Sequence, residues 1–377
     1  MKARTVDAVA SHESPGELAK RLRIVGFDAG LVAIECCPLS SWSATRTALE
    51  RHRAQGLAAT MEFTLRNPSR SSDARRALRG AHSIVVGAWS YALDTDGPDT
   101  AAPADDADRV WAQIARYAQR DMYAELDTAL GAVAGALVEA GHRARVVSDD
   151  NALVDREAAW RAGIGFAGKN SNILLRDGGG SFVVLGSVVT SAVLDRTALP
   201  AADECGTCRR CLDACPTGAI VEPGVVDARR CLAWVLQAPE PIPIELRAAV
   251  GQRIYGCDDC QEVCPPTRRS TRRPIGTPSG APGARIDAMR WLGLTDTELL
   301  SHARRWYVPG RDAAIIRRNL LVVLANAGRV SPAVLSRIRS HLDHPDPMVV
   351  EHAIWALQEL TRDEVAAGLP DENNVPS

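Results

Sequence analysis

Hydrophobic and polar positions alternate in two rhythms along the chain, and the switch between them outlines the elements. Residues 14–26 read as a helix, opened by a Ser14-Pro-Gly-Glu17 capping box with Pro at the first helical position and closed at Gly26. A strand is predicted over 27–34 and a second helix over 43–56. Ser83-Ile-Val-Val-Gly-Ala-Trp89 is a short apolar run between turn residues, the pattern of a buried strand. Residues 108–140 read as one long helical stretch or two, ending at Gly141. A strand over 143–147 then runs into Ser148-Asp149-Asp150-Asn151, and a helix follows over 154–162. Residues 172–175 and 181–190 read as strands of a hairpin across Asp177-Gly-Gly-Gly180. Residues 1–197 thus alternate strand and helix, which predicts a layered α/β (α+β) domain. Beyond a Pro/Gly/Arg linker at 265–284 the rhythm is helical only, over 296–303, 311–327, 332–342 and 347–362. The last two helices break at His344-Pro-Asp-Pro347, a helix-turn-helix beat that predicts HEAT-like repeats.

Between these halves cysteines set the pattern. Cys205-Gly-Thr-Cys208-Arg-Arg-Cys211-Leu-Asp-Ala-Cys215-Pro216 has the C-x2-C-x2-C-x3-C-P spacing of two-cluster ferredoxins, in which the Cys before Pro serves the other cluster. Cys257-Asp-Asp-Cys260-Gln-Glu-Val-Cys264-Pro265 repeats the Cys-Pro ending. The reciprocal assignment gives Cys205, Cys208, Cys211 and Cys264 to one [4Fe–4S] cluster. Cys215, Cys257 and Cys260 are left for the second, and Cys231 completes it by elimination. Zinc prefers isolated sets of four and explains neither the third Cys nor the Cys-Pro endings. Cys36 and Cys37 have no spaced partner and read as buried thiols.

Composition excludes little. The 377 residues are 46% hydrophobic and 24% charged with net charge −2, which is ordinary for a soluble protein of two or three domains. No apolar run has the length of a membrane span and the start lacks the apolar core of a secretory signal, so a cytoplasmic, membrane-free protein is expected. Charge is uneven, however. Eleven Arg stand against four acids between Arg268 and Arg318, while residues 94–107 form an acidic loop. Arg268, Arg269, Arg272, Arg273, Arg304 and Arg305 are therefore candidate phosphate contacts. Gly163-Ile-Gly165-Phe-Ala-Gly168-Lys169-Asn170 imitates a nucleotide loop but follows a helix and precedes a strand, the wrong context for one. Its glycines are expected to let the backbone pass close to a large flat ligand.

Together these stretches resemble the epoxyqueuosine reductases. The resemblance rests on residues 163–170, on Cys205 through Cys215-Pro-Thr-Gly-Ala-Ile220, on Val226-Asp-Ala-Arg-Arg-Cys231, on Arg253-Ile-Tyr-Gly-Cys-Asp-Asp-Cys-Gln261, and on Arg317-Arg-Asn-Leu with Leu324-Ala-Asn-Ala-Gly328. Where the family tends to show R-Y-A-x-G-x-D-Y-H, this chain reads Arg116-Tyr-Ala-Gln-Arg-Asp121-Met-Tyr123. The resemblance implies a cobalamin-binding catalytic domain over 1–197, a ferredoxin-like module with two [4Fe–4S] clusters over 198–268 and a helical-repeat domain over 285–365. It implies reduction of epoxyqueuosine to queuosine in the anticodon loop of tRNA, by a monomer supplied by an external electron donor. It points to Asp149 as proton donor and to Arg70, Asp149, Ile173, Leu175 and Leu185 as cobalamin contacts. The alternative is a cobalamin and iron–sulfur reductase of a small molecule, in the manner of reductive dehalogenases.

Overall fold

A computed structural model describes residues 13–92, 108–270 and 284–367. The acidic loop at 94–107, Arg272 and Arg273, and most of the linker and of the polar tail lie outside the described residues. Among the described residues no helix is long and apolar enough to cross a membrane.

The strands are β1 (Ala33–Pro38), β2 (Ser83–Ser90), β3 (Trp111–Ile114), β4 (Ala144–Ser148), β5 (Gly165–Ala167), β6 (Ile173–Leu175), β7 (Val183–Thr190), β8 (Ile220–Glu222), β9 (Val225–Val226), β10 (Arg253–Tyr255) and β11 (Arg285–Asp287). The main sheet has order β1-β2-β7-β4, and every pairing in it is antiparallel. Successive residues of β2 point to opposite faces: Val85 joins one core, and Ile84, Val86 and Ala88 join the other. The first face is covered by the helices Pro15–Asp28 and Met122–Glu139, the second by Asp155–Ala162. The helix Met122–Glu139 fits its cover because Met122, Leu126, Ala129, Leu130, Val133 and Leu137 recur at helical spacing.

Three readings of the pattern change. The Ser14–Glu17 capping box forms, yet the helix runs through Gly26 to Asp28, and the strand begins only at Ala33. Gly26 marks a close approach, since a Cβ there would lie 2.4 Å from Ile34. Cys36 and Cys37 consequently sit inside β1 and are buried. Residues 108–121 are not helical throughout: β3 is a strand because it pairs with β10 and β11, more than a hundred residues away. Finally, β6 pairs with β5 and not with β7.

The C-terminal helices wrap around Ala313–Asn326, of which only the last residue is not buried. Arg317 and Arg318 lie inside this packing, at 7% and 0% exposure. Arg318 donates to the carbonyls of Val235, Leu236, Ala238 and Glu240, and Asn319 donates to those of Leu236 and Ile254. The central helix thereby holds both backbone segments that flank Cys231 and Cys257.

Candidate functional site: a cavity beside the cysteine loops

A cavity of about 280 Å³ opens where β6 and the start of β7 approach the cysteine region. One wall is apolar: Ile173 from β6 and Val183, Val184 and Leu185 from β7. Thr64, Tyr91, Tyr117, Tyr123, Asp155, Arg156, Asn172 and Ser181 contribute polar groups to the rest of the lining. Tyr117 and Tyr123 belong to the stretch that departs from the family pattern, and burial pushes both phenols upward in pKa. Ile173 and Leu185 are thus at the cavity; Leu175 is buried behind it in the core, and Arg70 is exposed on the short helix Pro68–Ser71.

Asp149 follows β4 directly, exposed at the surface, with φ at +44°, a left-handed conformation that costs a non-glycine residue energy. Burial of one side of its carboxyl, then the charges of Asp127 and Asp150, push its pKa upward. Asp155, six residues on, is affected more strongly. Burial and the neighbouring Asp149 charge raise it to about 8, against the opposing pull of Arg156. Its Oδ1 is buried and has no hydrogen-bond partner. The family resemblance points to Asp149 rather than to Asp150 or Asp155; the cavity lining sets Asp155 apart.

The glycine-rich stretch has a different task from the one expected. A Cβ on Gly165 would lie 2.1 Å from the Leu174 carbonyl, so this glycine lets β5 and β6 pack closely, and no ligand is needed to explain it. The residues that follow grip the cysteine loops. Lys169 Nζ donates to the carbonyls of Gly206 and Cys208 at 2.5 and 3.0 Å, and Asn170 donates to that of Cys260 at 3.1 Å. Cys205, Cys208, Cys211 and Cys264 line one small enclosed space with Lys169 and Asn170. Cys215, Cys231, Cys257 and Cys260 form the other group, each close enough to another to raise its proton affinity or have its own raised. Burial pushes the Cys257 thiol up to about 12, and the charge of Asp259 adds to this. Cys36 stands apart, its thiol donating to the Asp195 carbonyl at 3.2 Å and raised to about 11 by burial.

One hydrogen-bond chain joins cavity and cysteines. Ser181 donates to Gln261 Oε1 at 2.9 Å, and Tyr91 reaches the same atom at 3.5 Å. Gln261 follows Cys260 in the chain. On the far side of the same loop Asp258 accepts from the Arg116 backbone N–H at 2.7 Å.

Known proteins share this arrangement. Residues 204–267 match the family described as a 4Fe-4S double cluster binding domain. The epoxyqueuosine reductase of Burkholderia pseudomallei is 31% identical, the alignment covering 91% of this chain and 92% of that one. A crystal structure of epoxyqueuosine reductase with an epoxyqueuosine-modified tRNA-Tyr stem loop superposes with a TM-score of 0.82 at 26% identity, covering 94% of this chain and 95% of the other. The Bacillus subtilis epoxyqueuosine reductase superposes with a TM-score of 0.81 at 26% identity and 95% coverage of both chains; in that structure a catalytic aspartate loop is swung out of the active site. Agreement along nine-tenths of both sequences places this chain in the epoxyqueuosine reductase family.

Proposed function

We propose that the protein reduces epoxyqueuosine to queuosine in the anticodon loop of tRNA, as a monomer in the cytoplasm served by an external electron donor. The observation that carries this reading is the Ser181–Gln261 contact, which sets the second cysteine group against the wall of a cavity that also holds an unpartnered carboxyl. Removing the epoxide oxygen as water takes two electrons and two protons. The cavity has one carboxyl in its lining, Asp155, and the segment that carries Cys260 is tied to that lining through Gln261.

The residues present fit cobalamin. The β6–β7 wall of Ile173, Val183, Val184 and Leu185 suits the apolar face of a corrin, and the orphaned Asp155 Oδ1 can accept from an amide on its rim. Leu175 would support that wall from behind, and Arg70 would meet parts of the cofactor that project from the cavity. When bound there, cobalamin would supply the redox chemistry that the side chains lack. Cys205, Cys208, Cys211 and Cys264 would hold one [4Fe–4S] cluster, and Cys215, Cys231, Cys257 and Cys260 the other. Asp149 donates a proton to the departing oxygen. Burial and the charges of Asp127 and Asp150 raise its proton affinity, the direction a donor needs, and its place at the end of β4 suits a loop that moves, as the catalytic aspartate loop of the B. subtilis relative does.

The test is turnover of a stem loop carrying epoxyqueuosine by anaerobically reconstituted protein, with and without cobalamin. Reduction that requires cobalamin is expected. Failure to reduce the modified RNA under those conditions would refute the assignment, and reduction without cobalamin would refute the cofactor.

A further inference from the structure

Three aromatic rings from distant parts of the chain meet beside the cavity mouth. Phe63 lies edge-on to Trp234 at 5.8 Å and to Tyr307 at 4.9 Å, and Trp234 and Tyr307 are nearly parallel at 6.4 Å. The group adjoins the cavity on two sides. Thr64, next to Phe63, lines the cavity. The Tyr307 backbone N–H donates to the Tyr255 hydroxyl at 2.8 Å, and the Tyr255 ring is 6.2 Å from that of Tyr117, another lining residue.

Phe63 and Trp234 pack with Ala228 and Ala238 in a small apolar cluster, which does not account for Tyr307. Tyr307 is 46% exposed although it is packed on two aromatics. Trp234 is only 4% exposed, yet its Nε1–H has no acceptor, a rare condition for a buried indole. Phe63 holds a φ of +29° and nearby Ala59 one of +49°, so the segment presenting the Phe ring is strained. Behind Tyr307 the support is rigid: Trp306 stacks on Tyr255 at 4.5 Å and donates to the Ala118 carbonyl at 3.2 Å. Ahead of it in the chain comes Arg304, exposed on the same connection.

We propose that Tyr307, backed by Phe63 and Trp234, forms a stacking platform for an unpaired nucleobase of the RNA loop, a neighbour of the base that enters the cavity. This inference rests on the proposed RNA substrate. A base that enters a cavity must leave its stack, and the bases beside it lose a stacking partner at the same moment. An exposed, rigidly backed tyrosine at the cavity rim replaces that partner without regard to base identity. Arg304 supplies the cation that such sites place beside their rings, for the adjoining phosphate.

The experiment uses full-length protein and an epoxyqueuosine stem loop in which 2-aminopurine replaces each other loop base in turn. At one position the wild type should quench the probe on binding. Tyr307→Ala should relieve that quenching and weaken binding about tenfold, at unchanged iron content. Tyr307→Phe should preserve both quenching and affinity. If Tyr307→Ala does not fold, Tyr307→Leu removes the flat ring at similar bulk and is read in the same way. Unchanged quenching and affinity in the ring-less variant overturn the platform, as does an equal loss in Tyr307→Phe, which would assign the effect to the hydroxyl. A wild type that quenches the probe without reducing the RNA would leave the platform standing and remove the proposed function.

Discussion

Asp149 and Asp155 are neighbouring carboxyls with different surroundings: Asp155 lines the cavity and Asp149 does not. Asp149→Asn should abolish most turnover, by roughly a hundredfold or more, while cobalamin uptake and iron content stay normal; near-normal turnover would move the proton donor elsewhere. For Asp155 the pH dependence has a definite sign. Its folded pKa of about 8 lies above the unfolded value of 3.8, so folding withholds ionisation that the unfolded chain gains. Its contribution is neutral below about pH 4, turns increasingly unfavourable as pH rises, and levels off above about pH 8. Asp155→Asn should therefore raise the melting temperature at pH 8 and leave it nearly unchanged at pH 4, which thermal scans at the two pH values would check. Asp149 is proposed from the sequence because it follows a strand and because the family resemblance points to it. Asp155, Tyr91 and Tyr117 were not legible, because what distinguishes them is a cavity assembled from segments far apart in the chain.

At the scale of elements, local signals were read well and remote pairings were not. The capping box at Ser14, the strand at Ser83 and the covering helix after Asp121 carry their own causes within a few residues. β3 has no such cause, and its partners lie at residues 253–255 and 285–287. The cysteine spacing was informative because cluster chemistry dictates it locally. Cys231→Ala should lower iron from about eight to about four per chain; retention of all the iron would remove Cys231 from the ligands. The helix Ala313–Asn326 leads to a less obvious expectation. Replacing Arg318 with Met leaves the carbonyls of Val235, Ala238 and Glu240 without their buried donor, while Leu236 keeps Asn319. A loss of about 3 kcal/mol is expected by chemical denaturation. Iron in that variant should be lost first from the Cys231 group, as a spectroscopic titration of the remaining cluster would show.

Across the whole molecule the basic stretch must be recounted. Of the eleven Arg between Arg268 and Arg318, Arg317 and Arg318 face inward and hold the fold, and Arg317 pairs with Asp296 at 2.7 Å. Arg268, Arg269 and Arg304 remain exposed, and Arg305 is half-buried. Tight counting of charge along a sequence cannot make this division, because an Arg that caps carbonyls and one that meets phosphate look alike. Replacing Arg268, Arg269, Arg272 and Arg273 together with Ser should weaken tRNA binding and flatten its salt dependence, with both clusters retained. An unchanged salt slope would place the phosphate contacts elsewhere. The three-stranded sheet has a final consequence, for synthesis on the ribosome. β3 leaves the ribosome well before β10, and about 170 residues before its last partner, β11. At ordinary translation rates it waits roughly ten to thirty-five seconds with its edges unpaired. Nascent chains arrested before residue 253 should therefore be sensitive to protease around Trp111, and chains released after residue 287 should be protected there.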